Sequence, residues 1–339
     1  MILSQKDKQS KHRKKYFDFF PEDIHLKDDA YHGSNAIAFT EWWYFDAELD
    51  NGYSIQMHLR VGSLLKNSVV LFFKKFEIYK DKKLLISKRR VHLKRHVFVS
   101  NDNPYVKIND KEIINGYIDK KTGKWIYVTN FEIEDAGLYL KFEGTGNGYK
   151  GVIGKPINKK GTTKQGKWAV ILPFANVSGK IKIKNKSVTV RGFGYHDHNW
   201  DMRGTVITNY GWLWGKIYTR DYTIVWSKVF KTKDISSNLL IISKKNGNYI
   251  NIESDEIEFI TDEYKKEKKR TIPHHFYLNV NKDNIKLKID MKAESIHHQK
   301  VFGFINYYRF HMECKGYVSI DSKKEEINDI LISEFLRFG

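Results

Sequence analysis

Apolar and polar residues alternate with a period of two along most of this 339-residue chain. This alternation is typical of β-strands that bury one face. It is clearest in YSIQMHLRV (53–61), VVLFFKKFEIY (69–79), KWIYVTNFEI (124–133) and YTIVWSKVF (222–230). Turn-forming groups bound the segments at the spacing of antiparallel hairpins, as in DNG (50–52), NDNP (101–104), KNG (245–247) and NKDN (281–284). No long segment has helical periodicity, so the pattern predicts an all-β protein.

The predicted strands fall into two tracts, each about the size of a small antiparallel barrel. A chain of this length also suits two domains better than one. The periodicity weakens over residues 147–168, which are rich in Gly and Lys and are interpreted as a long loop. We therefore predict an N-terminal barrel over 17–180 and a C-terminal barrel over 181–339. This boundary assigns the segment GFGYHDHNW to the C-terminal barrel.

Positive charge is in excess, with 59 Lys and Arg against 40 Asp and Glu, but it is spread along the strands. Segments such as KIKIKN (180–185) indicate solvent-facing strand positions. Because the aromatic residues follow strand alternation and do not accompany a basic stripe, we expect no nucleic-acid partner. Positive charge is more concentrated in two runs of the sequence. Residues 1–16 are interpreted as a mobile basic arm, a candidate for contact with anionic lipid headgroups, and 265–270 as a loop tip.

The cysteine content and the lengths of the apolar runs indicate the cellular compartment in which we expect the protein. The single cysteine, Cys314, excludes an internal disulfide and any multi-cysteine metal site. The N-terminal residues lack an apolar leader, and nowhere do 18 apolar residues run together. We expect a cytoplasmic protein. Association with a membrane through the basic arm is an alternative that stays open.

The segment YHDHNWDMRG (195–204) concentrates the residues most suited to chemistry. In an extended strand, His196 and His198 point to one face, and Tyr195, Asp197 and Asn199 point to the other. Histidine titrates near neutrality and a neighbouring aspartate can orient it, so these residues are a candidate proton-handling group. Two alternatives remain. One is a polar plug between domains with satisfied hydrogen bonds. The other is a zinc site completed by Glu41 or His58, although we expect no metal.

Two aromatic segments accompany this motif. In TEWWYFDAELDNGY (40–53), Glu41 stands beside consecutive tryptophans, whose burial would raise its pKa and let it hold a proton. In NYGWLWGKIYTRDYTIVWSKVF (209–230), Trp212 and Trp214 share a face, and Trp226 lies on the returning strand. Either the rings pack a core, or they line a cavity for a long apolar ligand. The candidate ligand-binding residues are Trp42, Trp43, Tyr44, Tyr195, Asn199, Trp200, Trp212, Trp214 and Trp226.

The segments EWWYFDAELDNG, LPFANVSGKIKI and GFGYHDHNW together resemble the carotenoid hydratases, or hydroxyneurosporene synthases, and the related AttH-like proteins. Kievitone hydratases and certain fungal Diels–Alderases are more distantly similar. The resemblance implies two lipocalin-like barrels and addition of water to an isoprenoid double bond without a cofactor. The positions that match the family motif are His198 and Trp200, with Asp197 beside them. The family's further tyrosine and aspartate fall where this chain has TIVWSKV, which contains no acid.

These observations together predict a cofactor-independent hydratase acting on a carotenoid, isoprenoid or other lipid-like alkene. The candidate catalytic residues are Asp197, His198, Glu41 and His196. Asp197 or Glu41 would be the general acid, and His198 would set its protonation. Trp200, Trp43 and Trp212 would face the cation, and Asn199 or Tyr195 would hold the water. We expect these groups to meet in one dry, indole-walled chamber. A non-catalytic lipid carrier and a cofactor-free cyclase or isomerase are the alternatives.

Overall fold

The computed structural model describes residues 17–34, 39–63, 69–153, 166–184, 186–202, 210–232, 235–268, 270–301 and 305–337. The predicted basic arm and residues 154–165 of the Gly- and Lys-rich segment lie outside these ranges. The described residues form strands and four short 3₁₀ turns, at Leu26–Asp29, Asp50–Gly52, Lys94–His96 and Ser254–Glu256. They include no helix of the length and apolarity that a membrane span requires.

The first sheet contains thirteen strands that run antiparallel to their neighbours. Its main path has the order β5-β4-β3-β2-β13-β12-β10-β9-β8-β7-β6, and β1 and β11 attach beside β12. The sheet curls until β4 and β5 approach β9 across the interior. The strands are β1 Glu22–Asp23, β2 Phe39–Leu49, β3 Tyr53–Ser63, β4 Val70–Lys80, β5 Lys83–Leu93, β6 Val97–Val99, β7 Tyr105–Ile108, β8 Lys111–Ile118, β9 Trp125–Ile133, β10 Ala136–Thr145, β11 Tyr149–Ile153, β12 Gly166–Ile183 and β13 Lys186–Trp200.

The second sheet contains nine antiparallel strands in the order β17-β16-β15-β14-β24-β23-β22-β21-β18. It closes in the same way, with β16 approaching β18. A separate hairpin, β19 Lys265–Glu267 and β20 Arg270–Ile272, occupies the region predicted as a loop tip. The strands of the sheet are β14 Gly211–Tyr218, β15 Tyr222–Phe230, β16 Ser236–Lys244, β17 Tyr249–Ile252, β18 Ile257–Asp262, β21 His275–Lys282, β22 Ile285–Val301, β23 Ile305–Ile320 and β24 Lys323–Arg337.

The predicted boundary between the barrels at 180/181 is wrong. It falls inside β12, which pairs with β13 from Lys167–Trp200 to Ile183–Lys186. Strand β13 then pairs with β2, so that His198 lies opposite Trp43. The HDHNW motif therefore belongs to the first sheet, and the second sheet begins at β14. The pairing of β13 with a strand about 150 residues earlier leaves no trace in local periodicity, which explains the error.

Each barrel is filled by its own apolar side chains. Inward residues of β2, such as Phe39 and Phe45, pack with Phe72 and Phe131 in the first barrel. Leu213, Trp226, Phe276 and Phe310 are among those that fill the second. The aromatic residues that we expected to line a cavity inside a barrel, such as Trp43 and Trp226, instead belong to these packed cores.

A third apolar cluster lies between the two barrels and joins them. Trp42 and Tyr44 of the first sheet contribute to it, together with Trp214 and Val229 of the second. Buried polar contacts also cross the interface, since Lys216 Nζ donates to Asp46 Oδ2 at 2.8 Å. Strands β2 and β15, and β13 from Gly194 onward, are consequently buried on both faces, one toward a barrel interior and one toward the partner barrel.

Candidate functional site

Strand β13 has two chemically different faces, as the alternation of its residues predicts. His196, His198 and Trp200 point into the first barrel, where they contact Phe45, Trp43 and His32 respectively. Tyr195, Asp197 and Asn199 point to the other side, toward the second barrel. One strand therefore contributes to two separate polar clusters.

The cluster inside the first barrel centres on Asp29, at the end of the 3₁₀ turn Leu26–Asp29. Its Oδ2 atom lies 2.9 Å from His196 Nε2 and accepts a 2.6 Å hydrogen bond from the Tyr127 hydroxyl. His196 Nδ1 donates to the backbone carbonyl of Tyr44 at 2.9 Å. Burial would raise the pKa of Asp29, but His196 and His198 outweigh burial and hold it well below its ordinary value. Asp29 is thus a buried carboxylate.

His198 lies between two carboxylates. Its Nε2 atom is 3.1 Å from Glu41 Oε1, and its Nδ1 atom is 3.1 Å from Asp29 Oδ1, an ion-pair contact without good hydrogen-bond alignment. Burial lowers the pKa of His198, but the two carboxylates outweigh burial and raise the pKa to about 9. Glu41 also accepts hydrogen bonds from the backbone N–H groups of His32 and Gly33, both at 2.9 Å. His198 is therefore an imidazolium at neutral pH.

This interior cluster is buried in the first barrel and lies apart from the chamber between the barrels. Asp29, Glu41, His196 and His198 are at most 1% exposed, and the chamber described below does not include them. Within the described ranges, no group of three His, Cys, Asp or Glu side chains is arranged to hold a metal ion. The cluster instead ties the chain segment 29–33 to β2 and β13. It is a polar plug, but inside one barrel and not between the two.

A chamber of about 660 Å³ lies between the barrels, beside the motif. Its first wall comes from β2, β3, β4, β5, β12 and β13, and its second from β14, β15, β16, β22, β23 and β24. Four tryptophans line it, together with aliphatic, basic and acidic residues. The lining side chains used below are Trp42, Tyr44, His58, Arg60, Lys75, Arg89, Arg90, Trp168, Asp197, Asn199, Trp212, Trp214, Val229, Gln299, Lys300, Tyr307, Glu334 and Leu336.

Asp197 is the titratable group of the motif that faces this chamber. Its Oδ2 atom accepts hydrogen bonds from Trp168 Nε1 at 3.0 Å and from the Tyr195 hydroxyl at 2.9 Å. Its Oδ1 atom accepts one from Asn199 Nδ2 at 3.1 Å. Burial raises the pKa of Asp197 to about 7, although the donors from Trp168 and Tyr195 oppose the shift. The carboxyl is held in one orientation and exchanges its proton near neutrality.

A second carboxyl, Glu334 of β24, faces the chamber from the other wall. Its Oε1 atom accepts hydrogen bonds from the Tyr44 hydroxyl at 2.6 Å, Gln56 Nε2 at 2.7 Å and Arg309 Nη1 at 3.0 Å. Burial raises the pKa of Glu334, and Arg309 opposes the rise. Because the acceptor lies on one barrel and two of its donors on the other, this network also fixes the width of the chamber.

The structure separates the residues that we expected to share one chamber. Asp197, Asn199, Trp42, Tyr44, Trp212 and Trp214 line the chamber, and Tyr195 supports Asp197 from behind. Glu41, His196, His198, Trp43 and Trp200 lie inside the first barrel and do not line the chamber, so the expectation that all of these groups meet in one chamber is wrong. The strand alternation itself requires this separation, because residues 197 and 198 point to opposite faces. His58 lines the chamber on the opposite side of the sheet from His196 and His198.

Trp226, which we also expected to bind the ligand, does not line the chamber. Residues directly opposite each other in a sheet share a face, and Trp226 lies opposite Gly215, whereas Trp214 lies opposite Ser227. Trp226 therefore points into the second barrel, where it packs against Phe259. A Cβ atom at Gly215 would lie 2.5 Å from the Trp226 ring, so glycine there makes room for the indole.

Sequence reasoning missed several residues of both clusters, chiefly Asp29, Trp168, Arg309 and Glu334. Arg309 did carry a signal, because it interrupts the apolar run INYYRFHM (305–312), and a charged residue within such a run requires a buried partner. Trp168, near the start of β12, is one further indole on a strand that leads toward the motif. For Asp29 and Glu334 no local signal distinguishes them from the chain's other acids.

Comparison with known proteins places these features in a family. The AttH-like family model matches residues 20–322. Hydroxyneurosporene dehydrogenase of Chlorobaculum tepidum is 20% identical in a gapped alignment 360 residues long, which covers 91% of this chain and 85% of that protein.

Solved structures are similar over nearly the whole chain. A putative AttH from Nitrosomonas europaea has a TM-score of 0.66 at 14% identity and covers 93% of this chain and 96% of its own. Kievitone hydratase from Nectria haematococca has a TM-score of 0.55 at 10% identity, covering 93% of each chain. CghA with Sch210972 has a TM-score of 0.54 at 10% identity, covering 89% of this chain and 88% of its own. At these identities the likeness shows the fold alone, and it confirms the prediction of two tandem lipocalin-like barrels.

Proposed function

We propose that this chain, which belongs to the AttH-like family, adds water to a double bond of a lipid-like alkene such as an isoprenoid, without a cofactor. The observation that carries the proposal is Asp197, a buried carboxyl with a pKa raised to about 7 that faces an indole-lined chamber. At neutral pH a large fraction of such a carboxyl keeps its proton, which is the form that a general acid requires. One protein of similar fold, kievitone hydratase, is named for a hydration, which supports a hydratase-type reaction on this fold.

The first step transfers the proton of Asp197 to one carbon of the double bond. A C–H bond forms from the π electrons, the carboxyl O–H bond breaks, and the other carbon becomes a carbocation. The indole faces of Trp42, Trp212 and Trp214 line the same space, and aromatic faces stabilise a nearby cation by roughly 0.5–2 kcal/mol each. The charge of the Asp197 carboxylate left behind adds to this stabilisation.

The second step joins water to the cation. A C–O bond forms, and the proton that the water loses returns to the Asp197 carboxylate, so the acid is restored. Asn199 lines the chamber beside Asp197 and is the candidate for orienting the water. Tyr195 acts differently from its predicted role, because its hydroxyl donates to Asp197 and positions that carboxyl.

The proposal is tested by incubating the purified protein with acyclic carotenoids and shorter isoprenoid alkenes in ¹⁸O-labelled water. We expect a product heavier by one labelled water, formed at a kcat/KM that falls as pH rises above about 7, since Asp197 then loses its proton. Asp197→Asn should abolish it. Asp329→Asn is the matched control, because Asp329 is an exposed carboxyl on β24.

Other outcomes identify the alternatives. A product of unchanged mass would replace hydration by cyclisation or isomerisation, which the same proton donor could start. Recovery of every alkene unchanged between pH 5 and pH 8, with ligand still bound, would leave a lipid carrier and refute the enzymatic proposal.

A further inference from the structure

The chamber wall formed by the first sheet changes in character from one end to the other. One row of directly opposed residues crosses it, formed by Asp197, Tyr44, His58, Lys75 and Arg89 on five successive strands. Adjacent strands lie about 4.8 Å apart, so this row spans roughly 19 Å. It begins at the proposed proton donor and ends in two cations.

The opposite wall, formed by the second sheet, also changes in character along the chamber. Its corresponding row consists of Gln299, Tyr307, Leu336, Trp212 and Val229. The polar end of this row meets the basic end of the first wall, because Lys75 Nζ donates a hydrogen bond to Gln299 Oε1. At the other end of the chamber, Trp168 of the first wall and Val229 of the second belong to one apolar cluster. The chamber thus has one basic end and one indole-rich end.

The basic end carries more positive than negative charge. Arg60, Lys75, Arg89, Arg90 and Lys300 line it, whereas the carboxyls that line the chamber, Asp197 and Glu334, lie farther along. Glu334 is already held by Arg309, and Lys75 lies 3.0 Å from Glu77.

Three of these cations are available to a ligand. Arg89, Arg90 and Lys300 form no ion pair with any part of the chain that the structure describes, and all three are exposed at the mouth. Burial lowers the pKa of Arg60 to about 10.

We propose that the chamber takes an amphipathic ligand whose anionic head group, a carboxylate or a phosphate, binds among Lys75, Arg89 and Lys300. Its apolar chain would extend along Trp42 and Trp212 toward Asp197. Guanidinium and ammonium groups recognise both kinds of oxyanion through charge-assisted hydrogen bonds. This names the substrate class of the proposed function, and it rests on that function only for the position of the reacting double bond.

The head-group inference is tested with three probes of one chain length: farnesoic acid, farnesyl monophosphate and methyl farnesoate. Binding is followed by quenching of tryptophan fluorescence, using Asp197→Asn protein so that no turnover interferes. We expect at least one anion to bind about tenfold more tightly than the neutral ester at low salt. The preference should shrink at high salt because the mouth is solvent-exposed. Comparing the two anions distinguishes carboxylate from phosphate. Equal affinity for the ester and both anions would overturn the inference.

A double variant identifies the head-group site. Arg89→Gln with Lys300→Gln should weaken binding of the preferred anion about tenfold while the ester affinity changes less than twofold. The matched control is Arg95→Gln, an exposed arginine just beyond β5 that does not line the chamber. A double variant that keeps the anion preference refutes the assignment.

The outcomes separate this inference from the proposed function. Anion preference without water addition to any bound alkene leaves the head-group site standing and removes the hydratase. Water addition to neutral alkenes, with no anion preference, would support the hydratase and remove the head-group site.

Discussion

Replacing Asp197 by asparagine should change how the stability of the protein depends on pH. The carboxyl is 6% exposed, and burial raises its pKa to about 7 from an ordinary value near 3.8. Asparagine has nearly the same shape, but it carries no titratable proton. The variant therefore isolates the contribution of one ionisation to the free energy of unfolding.

The direction follows from proton linkage. Below about pH 4 the carboxyl is protonated in the folded and in the unfolded chain, so the stability that it contributes is fully present. Between about pH 4 and pH 7 the unfolded chain has released this proton while the folded protein still binds it, so stability falls as pH rises, and the loss is complete once the folded carboxyl ionises above about pH 7. Each unit of pKa difference corresponds to roughly 1.4 kcal/mol, so the total loss is on the order of 4 kcal/mol.

Urea denaturation of both proteins between pH 5 and pH 9 measures the effect. The difference in free energy of unfolding, variant minus wild type, should rise with pH in favour of the variant, by about 1.4 kcal/mol per pH unit near pH 5, less steeply near pH 7, and level above pH 8. The absolute offset is not part of the prediction, because the amide also changes the hydrogen bonds from Trp168 and Tyr195. Only the slope is.

The control is Asp329→Asn, for which the same difference should stay constant across this range because Asp329 is exposed. If the Asp197→Asn difference is also constant, then Asp197 does not exchange its proton near neutrality. The general-acid role would then lose its physical basis, whatever the fold.

Three further predictions concern the other clusters. Asp29→Asn should lower the free energy of unfolding by about 3–5 kcal/mol, measured by urea denaturation, because it leaves the buried His198 imidazolium with one carboxylate fewer; a loss under 1 kcal/mol would contradict the ion-pair description. The His198 imidazole should titrate near pH 9 by NMR, and the stability it contributes should be lost as pH rises through that value; a titration at or below pH 6.5 would refute this. Trp212→Ala should weaken ligand binding about tenfold with little loss of stability, whereas Trp226→Ala should cost about 3–5 kcal/mol of stability and leave ligand affinity nearly unchanged; the reverse pattern would return Trp226 to the ligand site.

Local sequence pattern determined the strands and their faces. The period of two predicted β3, β4, β9 and β15 close to their observed bounds, and the turn groups at 50–52 and 281–284 do connect antiparallel neighbours. The same alternation correctly placed His196 and His198 on one face of β13 and Asp197 on the other. These features could be predicted because each depends on backbone geometry within a few residues.

Strand pairing over long sequence distances decided the rest. His196 meets Asp29 from 167 residues away, and Tyr44 meets Glu334 from 290 residues away. Alternation indicates that two residues share a face of one strand, but not which barrel that strand joins or what packs against it. The boundary at 180/181 failed for that reason.

The location of the chamber likewise depends on the tertiary structure. The aromatic residues of β2, β14 and β15 look alike in sequence, but register and docking direct Trp42 and Trp214 to the space between barrels and Trp43 and Trp226 into cores. Likewise, Glu41 and Asp197 are both buried acids, yet one accepts hydrogen bonds inside a closed barrel and the other faces an open chamber. Burial and electrostatic surroundings depend on every strand that packs nearby, so they exist only once the whole chain has folded.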